Sequence, residues 1–351
     1  MAKDSKNSRP ERVEELSQKI GIAVGQDLQS LRNINTKTKL LSLNARIEAA
    51  HAGAAGAAFA VVANEVMELS KNMDESFRHL EENTTPLLVE LEKIGSVLAK
   101  DVRGQRLADL AAANLDVIDR NLYERSCDVR WWATDSGLVS ALASQEESIL
   151  RHASQRMGTI LDSYTVYFDL VLCDLQGTVV ANGRPALYRS QGMNISHHTW
   201  FQQGLATKSG TEFGFEGMHS SSLVNGERVL VYSTAVRENG NETGQPIGVL
   251  GVIYRWEDLG QKIVDSVALS DEEMKRTRVL IVERNGRIIA SSKGLSDQEE
   301  FVPLAEWLSL SPDPRFHTLI QEESLLGLAR SQGFETYATG WSSALLQKLE
   351  V

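Results

Sequence analysis

Regular apolar spacing on both sides of a glycine-containing turn most constrains what this chain can fold into. Apolar residues before the turn recur at intervals of three, four and seven, and the same intervals resume at Phe59. Such spacing is typical of helices that pack as a coiled coil. The turn, Ala52–Ala57, contains Gly53 and Gly56, and glycine permits the backbone angles that a reversal needs. The sequence therefore predicts an antiparallel coiled-coil hairpin over 11–82. The predicted seam residues are Val13, Ile20, Val24, Leu31, Ile34, Leu41, Ala45 and Ala52, then Phe59, Val62, Val66, Leu69, Met73 and Leu80.

The turn and its flanks resemble the signalling tip of bacterial methyl-accepting chemotaxis receptors. The residues that carry the resemblance are Leu40–Ala45, Ile47–Ala50, Ala52–Gly53, Gly56, Phe59–Ala63 and Glu65–Val66. In that family the tip joins receptor dimers into trimers and controls a histidine kinase through a coupling protein. The resemblance implies four partners: that kinase, the coupling protein, other chemoreceptors, and a second copy of this chain in a homodimer or a trimer of dimers. The expected contact residues are Leu41, Asn44, Glu48, His51, Phe59 and Val62.

Several polar positions of the tip depart from the family pattern. His51 stands where arginine is usual, Ala54 replaces a glutamate, and Ala57-Ala58 replaces Arg-Gly. An alternative therefore stays open, in which the hairpin is only a dimerising coiled coil or a modulator that docks into receptor clusters without kinase output. The arms are also too short to place the glutamates that the family methylates.

Composition excludes several classes of function and partner. The 351 residues carry a net charge of −11, so no nucleic acid is expected as a partner, because phosphate binding needs concentrated Lys and Arg. Residues 1–10 are predicted to form a disordered tail. Cys127 and Cys173 give no disulfide framework. No signal peptide and no apolar run of about 20 residues is present. The sequence therefore predicts a soluble cytoplasmic protein that associates with receptor clusters.

A helical linker is predicted over 86–135. Thr85 suits an N-cap and Pro86 suits the first helical position, so a helix break is expected there. The linker ends in charged residues beside two tryptophans, and polar groups buried in such surroundings must be paired. Two interpretations stay open: a junction that relays a signal to the hairpin, and a well-packed connector. The relay candidates are Tyr123, Asp128, Trp131, Trp132 and Asp135.

Strands and turns dominate the rest of the chain, after a long helix predicted over 136–165. Phe168–Asn182 and Arg278–Ser292 each have the pattern of two strands joined by a tight turn. The recurrence predicts two related PAS-like modules with antiparallel sheets, over 166–270 and 276–351. The predicted fold class is thus an α-helical hairpin and linker followed by two tandem α/β modules.

The order of these elements resembles a double Cache sensor domain over 136–351. The resemblance includes the Trp200-Phe201 pair and the closing strand Gly248–Val252. In that family small molecules bind the first module, so the resemblance implies a small-molecule ligand. Aromatic walls with a few polar groups suit such a pocket. The expected lining residues are Tyr188, His198, Trp200, Phe201, Phe213, Phe215, Tyr232 and Ser233.

The chemistry of the ligand stays open. Amino-acid-binding members have an arginine two residues before the tryptophan and an aspartate on the closing strand. His198 and Ile253 stand near these places, so an amino acid is not expected. A carboxylate held by His198 with Arg189 or Arg237 is an alternative. Trp200 and Phe201 are equally well explained as core residues.

Neither an enzyme nor a metal site is predicted. The sequence has no phosphate-binding loop, no metalloprotease histidine pair and no nucleophile elbow. His197, His198 and His219 do not follow a known zinc-ligand spacing. A binding protein without metal or cofactor is therefore expected.

Overall fold

A computed structural model describes residues 11–144, 146–296, 298–320 and 323–349. The predicted disordered tail, 1–10, lies outside the described residues. The chain divides into two compact units, Met1–Arg103 and Gly104–Val351. The predicted domain boundaries at 82, 86 and 135 stay predictions.

The first unit contains one helix, a tight reversal and the N-terminal part of a second helix, which continues into the second unit. Helix α1 spans Glu11–His51, one 3-10 turn spans Gly53–Gly56, and helix α2 spans Ala57–Trp132. Gly53 has a φ of 59°, a left-handed conformation that glycine adopts without strain. A Cβ at Gly56 would lie 2.2 Å from the carbonyl oxygen of Ala49. Both glycines are therefore needed for the reversal and the close approach of the helices.

Small and polar side chains line the contact between the two arms. The Asn35 side-chain amide donates to the Ser70 carbonyl oxygen at 2.9 Å, and the Ser42 hydroxyl donates to the Ala63 carbonyl oxygen at 2.7 Å. These pairs show that the arms run antiparallel. The predicted seam was wrong about which residues face the other arm, because its large apolar members point outward. Those exposed in the single chain are Ile20, Leu31, Ile34, Leu41, Phe59, Val62, Leu69 and Leu80.

The helix break predicted at Thr85 was wrong, because α2 contains Pro86 in its interior. Proline in a helix interior costs about 3 kcal/mol, since it removes one backbone donor and clashes with the preceding turn. The hydrogen bonds and contacts of the rest of α2 therefore outweigh the tendency of Pro86 to break the helix.

Helices and the first antiparallel sheet begin the second unit. Helices α3 (Ser136–Ser144) and α4 (Glu147–Ser163) stand where one long helix was predicted over 136–165. The sheet has the order β2-β1-β5-β4-β3. Its strands are β1 (Tyr167–Cys173), β2 (Val179–Asn182), β3 (Gly214–Ser221), β4 (Glu227–Arg237) and β5 (Pro246–Tyr254), with helix α5 (Thr199–Leu205) before β3.

A second sheet repeats this order strand for strand. Its elements are helices α6 (Trp256–Asp265), α7 (Asp271–Arg276) and α8 (Leu304–Ser309) and strands β6 (Thr277–Val282), β7 (Ile288–Ser291), β8 (Arg315–Ile320), β9 (Ser324–Arg330) and β10 (Ser342–Lys348). The order is β7-β6-β10-β9-β8. Both predicted strand–turn–strand units are present, as β1–β2 and β6–β7.

Within the second unit, the C-terminal part of α2 packs against both sheets. Leu115 and Ile118 are buried in a core that also contains Tyr232 of the first sheet and Leu345 of the second. A Cβ at Gly327 would lie 2.4 Å from the backbone of Leu107. The helix and β9 are therefore in backbone contact.

Candidate functional site

Helix α5 and strand β3 bring three ionisable side chains together. His198 immediately precedes α5, and the backbone N–H of Trp200 donates to the Glu216 carboxylate at 3.0 Å. The pairing of β3 with β4 shifts register between Glu216 and His219. A bulge of this kind changes the face to which later side chains point. As a result, Nδ1 of His219 lies 3.9 Å from Oε1 of Glu216.

The pKa of His198 is lowered from its ordinary value. Partial burial disfavours the charged imidazolium, and the neighbouring His197 ring acts in the same direction. Glu216 opposes the shift. The neutral ring is therefore favoured at neutral pH, which weakens the predicted role of His198 as a cation for a carboxylate.

Some predicted ligand residues lie together on one face of the first sheet. Tyr188, Trp200 and Phe201 are buried in one apolar cluster with β-strand side chains. The Ser233 hydroxyl donates to the Trp200 carbonyl oxygen. His198 is half-buried, with its ring centroid 6.5 Å from that of Trp200.

The other predicted ligand residues lie on the opposite face. Tyr232 is fully buried there, and Phe213 and Phe215 pack against its ring at centroid distances of 6.1 and 5.0 Å. Successive side chains of a strand face opposite sides, so Tyr232 and Ser233 cannot line the same pocket. The structure therefore does not bring the eight predicted residues together.

The Trp200 indole carries a hydrogen-bond donor on the first face that the described residues leave unsatisfied. Its side chain is fully buried, yet Nε1 has no hydrogen-bond partner among the residues that the structure describes. A buried donor left unpaired costs about 1–3 kcal/mol. The predicted alternative partner Arg237 is already engaged, because its guanidinium donates to the carbonyl oxygens of Gly244 and Thr207.

A polar pocket of about 360 Å³ lies beside His219, between β3 and the second sheet. Arg287 reaches across it and donates to the carbonyl oxygen of Met218, while it pairs with Glu283 and Glu299. Sequence reasoning missed this pocket, because its charged residues come from segments far apart in the chain and follow no motif.

The predicted relay residues mostly lie in a paired, aromatic junction. Asp128 accepts a hydrogen bond from the Tyr167 hydroxyl at 2.5 Å and pairs with Arg125 at 3.3 Å. The Trp132 ring packs edge-on against Tyr167 at 5.5 Å. Tyr123 packs edge-on against Phe334 at 5.4 Å, near the second sheet. The junction therefore contacts the first sheet and the segment between β9 and β10.

Trp131 and Asp135 border a separate pocket of about 330 Å³. Trp131 is 70% exposed. Burial opposes ionisation of Asp135, but hydrogen bonds from Arg156 and the Gly137 N–H prevail and lower its pKa. The expected pairing of charges beside the tryptophans is thus present.

The predicted tip residues are all exposed in the single chain: Leu41, Asn44, Glu48, His51, Phe59 and Val62. Oε1 of Glu48 lies 3.8 Å from Nδ1 of His51, and both side chains are more than two-thirds in solvent. These side chains are therefore accessible to a partner.

Comparison with known proteins places these features in a family context. The family model described as Cache domain matches residues 42–348. The methyl-accepting chemotaxis protein PcaY of Pseudomonas putida is 32% identical over 126 residues, which are 36% of this chain and 22% of that protein. The matches cover a quarter or less of the first curated relatives' length.

Two solved sensor domains share the fold. The sensor domain of the Vibrio cholerae histidine kinase DctB has a TM-score of 0.50 and 15% identity, and the match covers 71% of this chain and 100% of that one. The sensory domain of the Campylobacter jejuni chemoreceptor Tlp3 has a TM-score of 0.52 and 17% identity, with 70% and 94% covered.

The predicted cytoplasmic location was wrong. Domains of the matched family are typically extracellular or periplasmic sensors of membrane chemoreceptors. Across the described ranges, no helix combines the length and apolar character needed to cross a bilayer.

Proposed function

Because this chain belongs to the Cache domain family, we propose that its second unit is a small-molecule sensor built from two tandem modules. The two sheets have the same strand order, which supports two related modules. Homologues of this chain are chemoreceptor sensor domains, which bind ligands and are not enzymes. We therefore infer that the chain binds its ligand without transforming it.

The observation that carries the proposal is the buried indole N–H of Trp200 beside the half-buried His198, because this N–H has no hydrogen-bond partner among the described residues. An acceptor atom of a ligand at this N–H would satisfy a donor that those residues leave unsatisfied. We propose that ligand recognition is centred on His198 and Trp200, with Tyr188, Phe201 and Ser233 around them. Phe213, Phe215 and Tyr232 lie on the opposite face of the sheet, so they would influence ligand binding without contacting the ligand.

A thermal-shift screen of the full chain tests this site. Carboxylates, amines and nucleobases are added singly, and a ligand at 100 times its Kd should stabilise the folded state by about 2.7 kcal/mol. Trp200→Phe keeps most of the apolar side chain but removes the N–H, so it should reduce the shift. Trp307→Phe, a similar change in the second module, serves as the control. Undiminished shifts in Trp200→Phe would contradict the proposed site.

We propose that ligand binding is communicated through the junction, which is the C-terminal end of α2, to the rest of that helix. The junction contacts the first sheet through Asp128 and Tyr167 and the region of the second sheet through Tyr123 and Phe334. A ligand shifts such an equilibrium only by its difference in affinity between two states. Asp128→Asn should retain ligand binding but weaken the response of the output.

The proposed output is control of a chemotaxis histidine kinase through the hairpin. Several curated relatives are methyl-accepting chemotaxis proteins, and the tip residues are exposed. We propose that a second copy covers the outward apolar residues of α1 and α2 and completes a coiled-coil bundle. The dimer would then present Asn44, Glu48 and their neighbours to the kinase and coupling protein.

Glu48→Ala tests the output in a reconstituted kinase assay. The variant should remain dimeric by light scattering but lose kinase control, because the exposed carboxylate contributes to a contact rather than to the fold. Glu90→Ala, another exposed glutamate on the first unit, should behave as wild type. Unaltered kinase output in Glu48→Ala would remove that residue from the site. Absence of any association with kinase and coupling protein would favour the alternative, an interaction protein without kinase output.

A further inference from the structure

We propose that His198, Glu216 and His219 form a binding site for a divalent transition metal of the Zn²⁺ type in the first module. One ligand atom from each residue lies within 4.8 Å of those of the other two, and all three side chains are half-buried. Two imidazoles and one carboxylate are a ligand set that Zn²⁺ uses, with a fourth position open to water or another ligand. The proposal deepens the sensor function by naming a ligand class, and it rests on that function only for its signalling consequence.

The backbone of β3 places two of the ligands on one side. Residues three apart in a regular strand face opposite sides of the sheet. The register shift between Glu216 and His219 removes this opposition. Both side chains therefore approach the N-terminal end of α5, where His198 lies. The intervening segment is fixed from the second sheet, because Arg287 donates to the Met218 carbonyl oxygen and Glu283 accepts from the Met218 N–H.

The protonation pattern of His219 suits a ligand. Its Nδ1 lies 2.9 Å from the carbonyl oxygen of Gly217. A carbonyl oxygen only accepts, so Nδ1 carries the proton, and the neutral ring keeps its lone pair on Nε2. This Nε2 is buried and has no hydrogen-bond partner in the part of the chain that the structure describes. Metal-bound histidines commonly donate their other ring N–H to a carbonyl or carboxylate in this way.

Glu216 is oriented by a contact that leaves one oxygen available. Its Oε2 accepts the backbone N–H of Trp200, while Oε1 lies 3.9 Å from Nδ1 of His219. Tetrahedral ligand atoms about 2.1 Å from zinc lie ~3.4 Å from one another. The three side chains must therefore draw together. This requires rotation of His198 at the start of α5 and a turn of the His219 ring, whose Nδ1 is the nitrogen that lies 3.9 Å from Glu216. Metal binding would thus tie α5 to a strand segment that the second sheet holds.

Zinc titration of the full chain, freed of metal by a chelator, tests the site. Zn²⁺ is added in competition with a chromophoric chelator, and one ion should bind per chain at this site. His198→Gln, Glu216→Gln and His219→Gln should each weaken binding by at least the ~10–100-fold seen for loss of an outer-shell partner. Glu216→Gln keeps an acceptor for the backbone N–H of Trp200, so the fold should be preserved. His152→Gln, an exposed histidine on α4, is the matched control and should bind as wild type.

Spectroscopy and metal-free unfolding separate a site from a folding defect. Co²⁺ should give the intense visible absorption of low coordination number in wild type and His152→Gln, and lose it in Glu216→Gln. The metal-free variants should keep the wild-type unfolding midpoint. Undiminished Zn²⁺ affinity in both Glu216→Gln and His219→Gln, or no binding by wild type, would overturn the metal site. The sensor proposal would survive that result, since its own test uses Trp200→Phe and non-metal ligands.

Discussion

A hydrogen bond between two buried tyrosines joins the sheets and allows a quantitative test of how they are held together. The hydroxyl oxygens of Tyr232 on β4 and Tyr337, between β9 and β10, lie 2.7 Å apart, and both side chains are buried. Tyr→Phe at one position removes one partner and leaves the other hydroxyl buried and unpaired, which costs about 1–3 kcal/mol. Changing both residues removes the unpaired group, so the double variant should lose little more than one single variant.

A double-mutant cycle measures this coupling. Urea unfolding of the full chain is followed by tryptophan fluorescence for wild type, Tyr232→Phe, Tyr337→Phe and the double variant. The expected coupling is about 1–2 kcal/mol at unchanged m, and each kcal/mol should move the melting temperature by about 2–4 °C for a unit of this size. Tyr188→Phe, on the opposite face, controls for loss of a tyrosine hydroxyl. Single effects that add within ~0.5 kcal/mol would refute the reasoning.

Three further predictions concern backbone contact, buried charge and the hairpin. Gly327→Ala should destabilise the second unit by several kcal/mol in urea unfolding, because its Cβ would meet the backbone of Leu107 at 2.4 Å; wild-type stability would contradict the close packing. Burial raises the pKa of Asp169 to about 6. Below pH ~4 the carboxyl is protonated in both the folded and the unfolded chain, and the folded state is most stable with respect to this group. As pH rises through ~6, this contribution to the free energy of unfolding falls by about 3 kcal/mol. Comparison with Asp169→Asn from pH 4 to 7 isolates this change, and a constant difference would exclude it. Asn35→Ala should lower hairpin stability by about 1–3 kcal/mol, measured by circular dichroism, because the Ser70 hydroxyl loses its acceptor; adding Ser70→Ala should restore part of the loss, and no restoration would argue against the pair.

Local chemistry accounts for the parts of the fold that the sequence predicted well. The reversal at Gly53 and the turns at Gly177 and Gly286 use glycines with positive φ. Such glycines favour a turn whatever the distant contacts are, so the sequence can predict it. Strand β3 carried no such signal. It contains glycines and polar residues in place of an alternating apolar pattern, and its pairing with β4 decides its conformation.

Spacing alone could not decide which side of α1 faces α2. A seven-residue repeat fits the large apolar residues and equally the line Asn35, Ser42 and Ala49, which is buried. For a related reason, the sequence drew attention to His198 and His219 but could not place Glu216 with them. Glu216 meets His198 only through the tertiary fold, and a register shift rather than a motif aligns it with His219.

The narrow, polar line between the arms has a consequence for how the hairpin behaves on dilution. Burying a large aliphatic or aromatic side chain contributes about 1.5–3 kcal/mol, but α1 and α2 turn many such groups, including Leu41 and Phe59, toward solvent. Contacts within one chain therefore leave most of the stabilisation from burying these apolar side chains unrealised. With the proposed second copy in place, the midpoint of hairpin melting should climb as protein is concentrated, so folding and assembly of this region form a single equilibrium.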